Sequence, residues 1–378
     1  MIILNTLNKV KWKSGSISDI AQVVMGQSPP GSSYNNEQNG MGLINGPTEF
    51  TNKYPIVKQW TTKPTKLCRP GDILLCVRGS STGRMNISDG NYCIGRGVAS
   101  VSAEKGKGVT EYIYYLLEFE INKLLMKTAG TTFPNLSSNE IKDLDISVPP
   151  VEEQQNIASI LTTWDKTIEL KEKLIDQKNE QKKGLMQKLL TGEIRLPGFD
   201  GEWDKAYLGD ICSISTGNKD TQNKVEDGIY PFFVRSQTVE KINSYSYDGE
   251  AILTAGDGVG VGKVFHYING KFDFHQRVYK LSDFKGVNGY YLFCYFSENF
   301  MKQIKKYNAK TSVDSVRMEM ITKMLIPLPS IAEQKHLARF FQTFEKEISL
   351  LEKELEFVKQ QKKGLMQLLL TGKVRVKV

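Results

Sequence analysis

QKKGLMQKLLTGEIRL at residues 181–196 and QKKGLMQLLLTGKVRV at residues 361–376 are identical at twelve of sixteen positions. The copies are separated by 180 residues, and the same offset aligns Pro149 with Pro329 upstream. Solenoid repeats have periods of about 20–50 residues, so this longer period indicates a duplicated domain. The first parts of the two halves match only loosely. Each half is therefore predicted to contain a variable globular part followed by a near-constant part.

The near-constant parts are predicted to be helices of about forty residues, or about 58 Å. Apolar residues recur every seven positions in two rows, which is the pattern of a coiled-coil seam, although Lys171, Lys178 and Lys182 interrupt the first copy. Such a helix cannot bury its stripe alone, so we expect the copies to pair, and an antiparallel pair follows because the second globular part returns the chain. The predicted seam consists of Ile157, Leu161, Trp164, Ile168, Ile175, Leu185, Leu189, Leu337, Phe341, Phe344, Ile348, Leu351, Leu355, Val358, Leu365 and Leu369.

Terminal signals mark the ends of both predicted helices. Ser330 stands three residues before a glutamate, as in a capping box. Gly192 and Gly372 occupy the place of a C-terminal glycine. Gly184 and Gly364 lie inside the helices, where glycine is unfavourable, and we interpret them as points of close backbone approach.

The globular parts are rich in Gly, Asn, Ser and Thr, and their short apolar runs predict strands between loops. Each also has one longer helical stretch, at 109–127 and 287–306. The predicted fold class is α+β, with two mixed α/β globular domains separated by two long α-helices that form an antiparallel coiled coil, a pseudo-twofold internal repeat, and one domain at each end of a rod. The predicted boundaries are 1–148 for the first globular domain, 149–192 for the first long helix, 193–328 for the second globular domain, 329–372 for the second long helix and 373–378 for a C-terminal tail.

Composition excludes several classes of protein. Fifty Lys and Arg against 42 Asp and Glu give a net charge of +8, which allows a polyanionic partner without requiring one. No apolar run approaches the ~20 residues of a membrane-spanning helix. The five cysteines have no zinc-binding spacing, and we expect buried, reduced thiols in a cytoplasmic protein.

The sequence does not match the catalytic and metal-binding motifs considered below. The glycine-rich stretch 256–263 is not a phosphate-binding loop, because Asp257 stands where that motif needs glycine and Val264 where it needs Ser or Thr. The histidines have no metal-binding spacing, and no amino-methylation motif occurs. We therefore predict no catalytic residue, no metal site and no cofactor bound by this chain.

Polar and cationic loops recur at equivalent places in both halves. Arg, Gln, Asn and hydroxyl side chains are the groups that bind phosphates and read base edges, whereas each loop taken alone could equally be solvated surface. The candidate DNA-binding residues are Gln27, Ser28, Ser33, Tyr34, Asn35, Arg78, Ser80, Ser81, Thr82, Arg84, Arg96, Thr131, Thr132, Asn135, Lys219, Arg235, Lys263, His275, Gln276, Arg277, Lys310, Thr311 and Ser312.

Together, MGQSPPGSSYN at 25–35, PPVEEQQNIASIL at 149–161 and the paired QKKGLMQ helix ends resemble the specificity subunit of Type I restriction-modification systems. The resemblance implies that each globular part is a target-recognition domain that reads one half of a split DNA sequence, that the coiled coil sets the half-site spacing, and that the subunit has no catalytic activity. It further implies double-stranded DNA, two modification subunits and restriction subunits as partners, with S-adenosylmethionine, ATP and Mg bound by those partner subunits.

Two other functions stay open. A scaffold could use the same coiled coil while its domains bind proteins and never touch bases. An enzyme could use the 256–263 loop on a nucleotide, although the failed motif argues against it. Salt dependence separates the first alternative from DNA binding, since phosphate contacts give a steep slope.

Overall fold

The computed structural model describes residues 12–127, 134–307 and 315–377. The chain divides into two compact units, which we call unit 1 (residues 1–172 and 354–378) and unit 2 (residues 173–353). Each unit therefore combines one globular part with a segment of each of two long helices.

Unit 1 contains a two-stranded, a four-stranded and a five-stranded sheet, ordered β1-β11, β2-β10-β7-β8 and β3-β5-β4-β9-β6. Its strands are β1 (Lys13–Ser16), β2 (Ala21–Met25), β3 (Tyr34–Asn35), β4 (Met41–Ile44), β5 (Gln59–Thr61), β6 (Leu67–Cys68), β7 (Ile73–Cys76), β8 (Met85–Ile87), β9 (Tyr92–Ile94), β10 (Val98–Ala103) and β11 (Asp145–Val148). Its helices are α1 (Ile17–Ile20), α2 (Thr110–Lys127), α3 (Ser138–Lys142) and the first part of α4 (Val151–Leu189).

Strand β7 lies at the centre of unit 1 and is buried on both faces. Side chains alternate along a strand, so Ile73 and Leu75 enter the main core, where they join the apolar face of α2, including Tyr112. Leu74 and Cys76 face a smaller second core. This double burial explains why β7 is a continuous apolar run rather than an alternating one.

Unit 2 contains a two-stranded sheet, β12-β19, and a six-stranded sheet ordered β13-β18-β16-β17-β14-β15. Its strands are β12 (Asp204–Tyr207), β13 (Ser213–Thr216), β14 (Tyr230–Phe233), β15 (Glu240–Ile242), β16 (Tyr247–Ala255), β17 (Phe265–Phe274), β18 (Val278–Ser282) and β19 (Leu325–Leu328). Its helices are α5 (Leu208–Ile211), α6 (Gly289–Tyr307), α7 (Met318–Thr322) and the first part of α8 (Ile331–Leu370). The last part of α4 also belongs to unit 2, and the last part of α8 belongs to unit 1.

The two globular parts differ in how their strands join. In unit 2, the ten-residue strand β17 pairs antiparallel with β16 and then reaches β14, with which it pairs parallel. In unit 1, the corresponding path is broken into β8 and β9, and only β9 pairs with β4. One large mixed sheet in unit 2 therefore corresponds to two sheets in unit 1. Each unit combines parallel and antiparallel strand pairs with helices, which confirms the predicted mixed α/β domains.

The long helices pair antiparallel in each unit. In unit 1, Lys171 contacts Glu354 (2.9 Å) and Asp165 contacts Lys362 (2.6 Å). Residue numbers therefore increase along one helix as they decrease along the other. Unit 2 shows the same direction, because Lys178 contacts Glu347 (2.7 Å) and Lys182 contacts Glu345 (2.6 Å). The predicted antiparallel pairing is confirmed, and every residue of the predicted seam is buried or half-buried.

The lysines that interrupt the first seam do not leave it unpaired. Lys171, Lys178 and Lys182 keep about a quarter of their side-chain surface exposed and each meets a glutamate of the other helix. Paired charges at half-exposed positions contribute little stability, but polar seam residues specify register. The interruptions therefore fix how the two helices align.

The expectation for the internal glycines is wrong. A Cβ at Gly184 or Gly364 would meet no atom within 4 Å among the described residues, so neither glycine marks a close backbone approach. Both positions are exposed on their helices.

Alanine at these two positions should therefore stabilise the protein. Glycine costs about 1 kcal/mol relative to alanine in a helix interior, and nothing nearby would clash with the added methyl group. We expect Gly184→Ala and Gly364→Ala each to raise the free energy of unfolding by about 0.5–1 kcal/mol in urea denaturation. Gly192→Ala is the matched control and should destabilise, because Gly192 has φ +75°.

Candidate nucleic-acid interface

A buried glutamate joins the start of α4 to the end of α8 in unit 1. Glu153 is fully buried and accepts two hydrogen bonds from the Arg375 guanidinium, both at 2.6 Å. It also accepts a hydrogen bond from the indole N–H of Trp12 (3.0 Å), and the Arg375 guanidinium lies 5.3 Å from the centre of the Trp12 ring. The predicted C-terminal tail is therefore part of the framework of unit 1.

The same arrangement recurs in unit 2. Glu333 is 1% exposed, accepts hydrogen bonds of 2.6 and 2.7 Å from Arg195, and a third of 3.2 Å from Trp203. The glycines that end the helices, Gly192 and Gly372, have φ of +75° and +68° and lie against the two tryptophan rings. The repeated LTG-x-x-R sequence thus supplies both the helix end and the arginine.

The glutamine after each glutamate docks the helix onto the globular part. Gln154 accepts a hydrogen bond from the Val109 N–H (3.0 Å) and donates to the carbonyls of Lys107 and Pro149. Gln334 likewise accepts from the Asn288 N–H (2.8 Å) and donates to a proline carbonyl. Among the described residues, both glutamine side chains bond main-chain groups alone, so these contacts do not depend on the side chains of the loop that they hold.

A pocket of about 530 Å³ in unit 1 gathers several predicted residues at the ends of strands. Ser28 follows β2, Arg78 follows β7 by two residues, and Arg96 lies between β9 and β10. Tyr34 also lines the pocket, and the Ser28 hydroxyl accepts the main-chain N–H of Arg96 (3.3 Å). The two exposed guanidiniums give the pocket a positive rim suited to phosphates or guanine edges.

Other predicted residues of unit 1 support loops. The buried Ser33 hydroxyl bonds Pro30 and Thr61, and Thr82 donates to the carbonyls of Gly79 and Pro134. Asn35 bonds the main chain of Asn39 through both its oxygen and its nitrogen. Gln27, Ser80, Arg84 and Asn135 are exposed, and Ser81 is half-buried.

In unit 2, two predicted arginines converge on one carboxylate. Asp257 Oδ1 lies 3.0 Å from Arg235 and its Oδ2 lies 3.7 Å from Arg277. The three residues come from the ends of β14, β16 and β18, so the six-stranded sheet brings them together although β17 lies between β14 and β16. We call Arg235, Asp257 and Arg277 the charge cluster of unit 2.

His275 is buried and holds the main chain of Arg277 in this cluster. It is 3% exposed, and its Nδ1 accepts the main-chain N–H of Arg277 at 2.9 Å. Burial lowers the pKa of His275, and the nearby charge of Arg235 lowers it further. A neutral ring is the form that can accept this hydrogen bond, so the turn that carries Arg277 is held in place at neutral pH.

The remaining predicted residues of unit 2 lie around the cluster. Gln276 donates to Asp220 (3.0 Å), and Lys219 lies 4.0 Å from the buried Asp273. Lys263 is exposed. Thr131, Thr132, Lys310, Thr311 and Ser312 lie outside the described residues.

Asn45 in the pocket of unit 1 and Asp257 in the charge cluster of unit 2 are not among the candidate DNA-binding residues of the sequence. The sequence pattern places Asp257 in the glycine-rich stretch 256–263, the counterpart of residues 78–84, without indicating which side chains it contacts. A carboxylate between glycines after an apolar strand was the available signal.

The described part of the chain has no helix that is long and apolar enough to cross a bilayer. Its His, Cys, Asp and Glu side chains form no group that could hold a metal ion. All five cysteines are buried and unpaired, as expected.

Comparison with known proteins identifies the repeated arrangement. A family model described as the Type I restriction modification DNA specificity domain matches residues 9–179 and again residues 200–360, which together exceed half of the chain. The chain belongs to this family. Each match includes one globular part and most of one long helix, so the specificity domain repeats as the sequence does.

Named relatives are also specificity subunits. The putative type I restriction enzyme MjaX specificity subunit of Methanocaldococcus jannaschii is 38% identical over 175 residues, which cover 46% of this chain and 41% of that protein. The chain thus matches less than half the length of this relative. The MjaVIII specificity subunit of the same organism is 27% identical over 375 residues, covering 89% of this chain and 84% of that protein.

A solved structure shares the fold over the full length. The Type I restriction-modification system S subunit from M. genitalium superposes with a TM-score of 0.62 at 16% identity, covering 98% of this chain and 99% of that chain. This similarity confirms the predicted fold class of two specificity domains with long helices.

Proposed function

We propose that the chain reads a split DNA sequence, with each unit contacting one half-site, and that it delivers this recognition to a Type I restriction-modification complex. The observation that carries the proposal is the contrast within the repeat. The helix starts have the same glutamate, glutamine and arginine contacts in both units. The strand ends present different cationic groups, as expected for one framework that holds two different readers.

The near-constant helices supply the surfaces for partner proteins in this proposal. Two copies of one segment, QKKGLMQ, fit two copies of one modification subunit. S-adenosylmethionine, ATP and Mg would be bound by modification and restriction subunits, and methylation and cleavage would take place on them. This chain would act in the cytoplasm as the recognition component without catalysis of its own.

The positive rim of unit 1 provides the test against the scaffold function. We expect Arg78→Ala with Arg96→Ala, in complex with the modification subunit, to weaken binding to a cognate duplex about 10- to 100-fold, because each guanidinium contacts a base or a phosphate. Fluorescence anisotropy between 50 and 300 mM salt measures both affinity and salt slope. Each phosphate contact that is lost should lower the slope by about 1.

Lys105→Ala, which removes an exposed cation of unit 1 outside the pocket, is the matched control and should leave both quantities unchanged. Unchanged affinity and slope in the double variant would favour a protein-binding scaffold.

A further inference from the structure

The hydrogen bonds at the strand ends establish which residues of the two units correspond. Val77 N–H donates to the Gly97 carbonyl (2.9 Å), as Gly256 N–H donates to the Arg277 carbonyl (2.7 Å). The residue after Val77 is Arg78 and the residue after Gly256 is Asp257. Arg78 of unit 1 is therefore equivalent to Asp257 of unit 2, and Gly97 of unit 1 is equivalent to Arg277 of unit 2.

A second pair of bonds extends the correspondence. Gly95 N–H donates to the Ile44 carbonyl and His275 N–H donates to the Phe233 carbonyl, both at 2.9 Å. Ile44 and Phe233 are therefore equivalent positions, and so are Gly46 and Arg235, each of which follows two residues later. The same backbone framework thus carries its positive groups at different positions in the two units.

The charge cluster of unit 2 is also more constrained than the pocket of unit 1. Asp257 engages both arginines, whereas the guanidiniums of Arg78 and Arg96 have no ion-pair partner in the part of the chain that the structure describes. The glycine-rich turn permits this constraint. A Cβ at Gly256 would lie 2.9 Å from the Arg277 carbonyl, and one at Gly260 would lie 2.4 Å from the Arg235 carbonyl, so larger residues could not pack there.

We propose that Arg277 reads a guanine in the half-site of unit 2 and that Asp257 is the positioning residue that holds it; this inference rests on the proposed function. The Arg277 side chain is 66% exposed, and Asp257 Oδ2 lies 3.7 Å from its Nε. Among the described residues, neither terminal nitrogen of Arg277 has an ion-pair partner, so both can donate to a base. An arginine fork matches the O6 and N7 acceptors of guanine, whereas adenine presents a donor at N6. His275 fixes the main chain of the turn that carries the fork, so less loop ordering is needed on binding.

The test uses the full chain in complex with its modification subunit. The methylated motif of the wild-type complex is determined first, and binding is then measured for duplexes in which each base pair of both half-sites is changed in turn. We expect Arg277→Lys and Asp257→Asn each to lower the preference for guanine at one and the same position of one half-site by about 10- to 100-fold. The double variant should lose no more than either single one, because both act on one contact.

Controls separate reading from folding. Lys205→Ala, which removes an exposed cation of unit 2 outside the charge cluster, should leave that guanine preference unchanged. The thermal midpoint of Asp257→Asn should stay within about 2 °C of wild type. The inference is overturned if the half-site of unit 2 has no G·C pair, or if either variant weakens all duplexes equally. A wild-type complex with no sequence preference would overturn the proposed function itself, and this inference with it.

Discussion

Replacing Glu153 by glutamine should lower the free energy of unfolding of unit 1 by about 3–5 kcal/mol. The carboxylate is fully buried and compensates the Arg375 guanidinium through two short hydrogen bonds. Removing one partner of a buried ion pair leaves the other charge uncompensated, which is far more costly than losing a surface pair. Urea denaturation measures the loss, and hydrogen exchange assigns it to unit 1.

Two variants make this prediction specific. Glu152→Gln changes the exposed neighbouring residue and should alter stability by less than about 0.5 kcal/mol. Glu333→Gln removes the equivalent carboxylate and should destabilise unit 2 by a similar 3–5 kcal/mol. A loss below about 1 kcal/mol for both buried glutamates would show that these ion pairs do not stabilise the unit that contains them.

The contribution of Glu153 to the free energy of unfolding should decrease at low pH. Burial alone would raise the pKa of Glu153, but the hydrogen bonds from Arg375 and Trp12 outweigh it, and the pKa lies below the usual 4.5. A carboxyl whose pKa is lowered in the folded state stabilises above its unfolded pKa and loses that contribution as pH falls through the folded value. The stability difference between wild type and Glu153→Gln should therefore shrink below about pH 4.5.

Exchanging residues 13–148 for the first specificity domain of another family member should replace one half of the recognised DNA sequence and leave the other half unchanged. The exchange keeps Trp12 and Glu153, so the buried network at the helix start is preserved. Gln154 bonds only main-chain groups of the incoming domain, at Lys107 and Val109, so a loop of different sequence can satisfy it. The framework thus explains why variable domains can follow one constant helix start.

The expected effect on recognition is large. Each mismatched base pair costs about 1–3 kcal/mol, so replacing several in one half-site should weaken binding to the original duplex about a thousand-fold or more. The reciprocal exchange of residues 204–328 is the matched control and should change only the other half of the sequence. A hybrid that folds, assembles and still recognises the original sequence would contradict the assignment of one half-site to each unit.

The architecture follows closely from the sequence because its signals are periodic. The 180-residue repeat and the seven-residue spacing predict two long helices, and α4 and α8 cover 39 and 40 residues. The predicted apolar run at 73–77 contains β7, which ends at Cys76, and the run at 251–254 lies within β16. Local pattern suffices here because helix and strand periods differ and each element buries one face or both.

The interface could not be predicted as fully, for a physical reason. Arg235, Asp257 and Arg277 are about twenty residues apart, and only strand order brings their side chains together. Strand pairing depends on contacts between distant segments, so the sequence suggested the arginines separately but not the carboxylate that joins them. The prediction of close backbone approach at Gly184 and Gly364 is wrong for a similar reason. Helix propensity does not show which atoms lie near a given position on the helix.

Methylome sequencing of cells that express this chain with its modification subunit would show whether the chain specifies a split DNA site. We expect N6-methyladenine in a split motif with two different halves separated by a fixed gap. Methylation without any sequence preference, or none from a complex in which both proteins are folded and assembled, would contradict it.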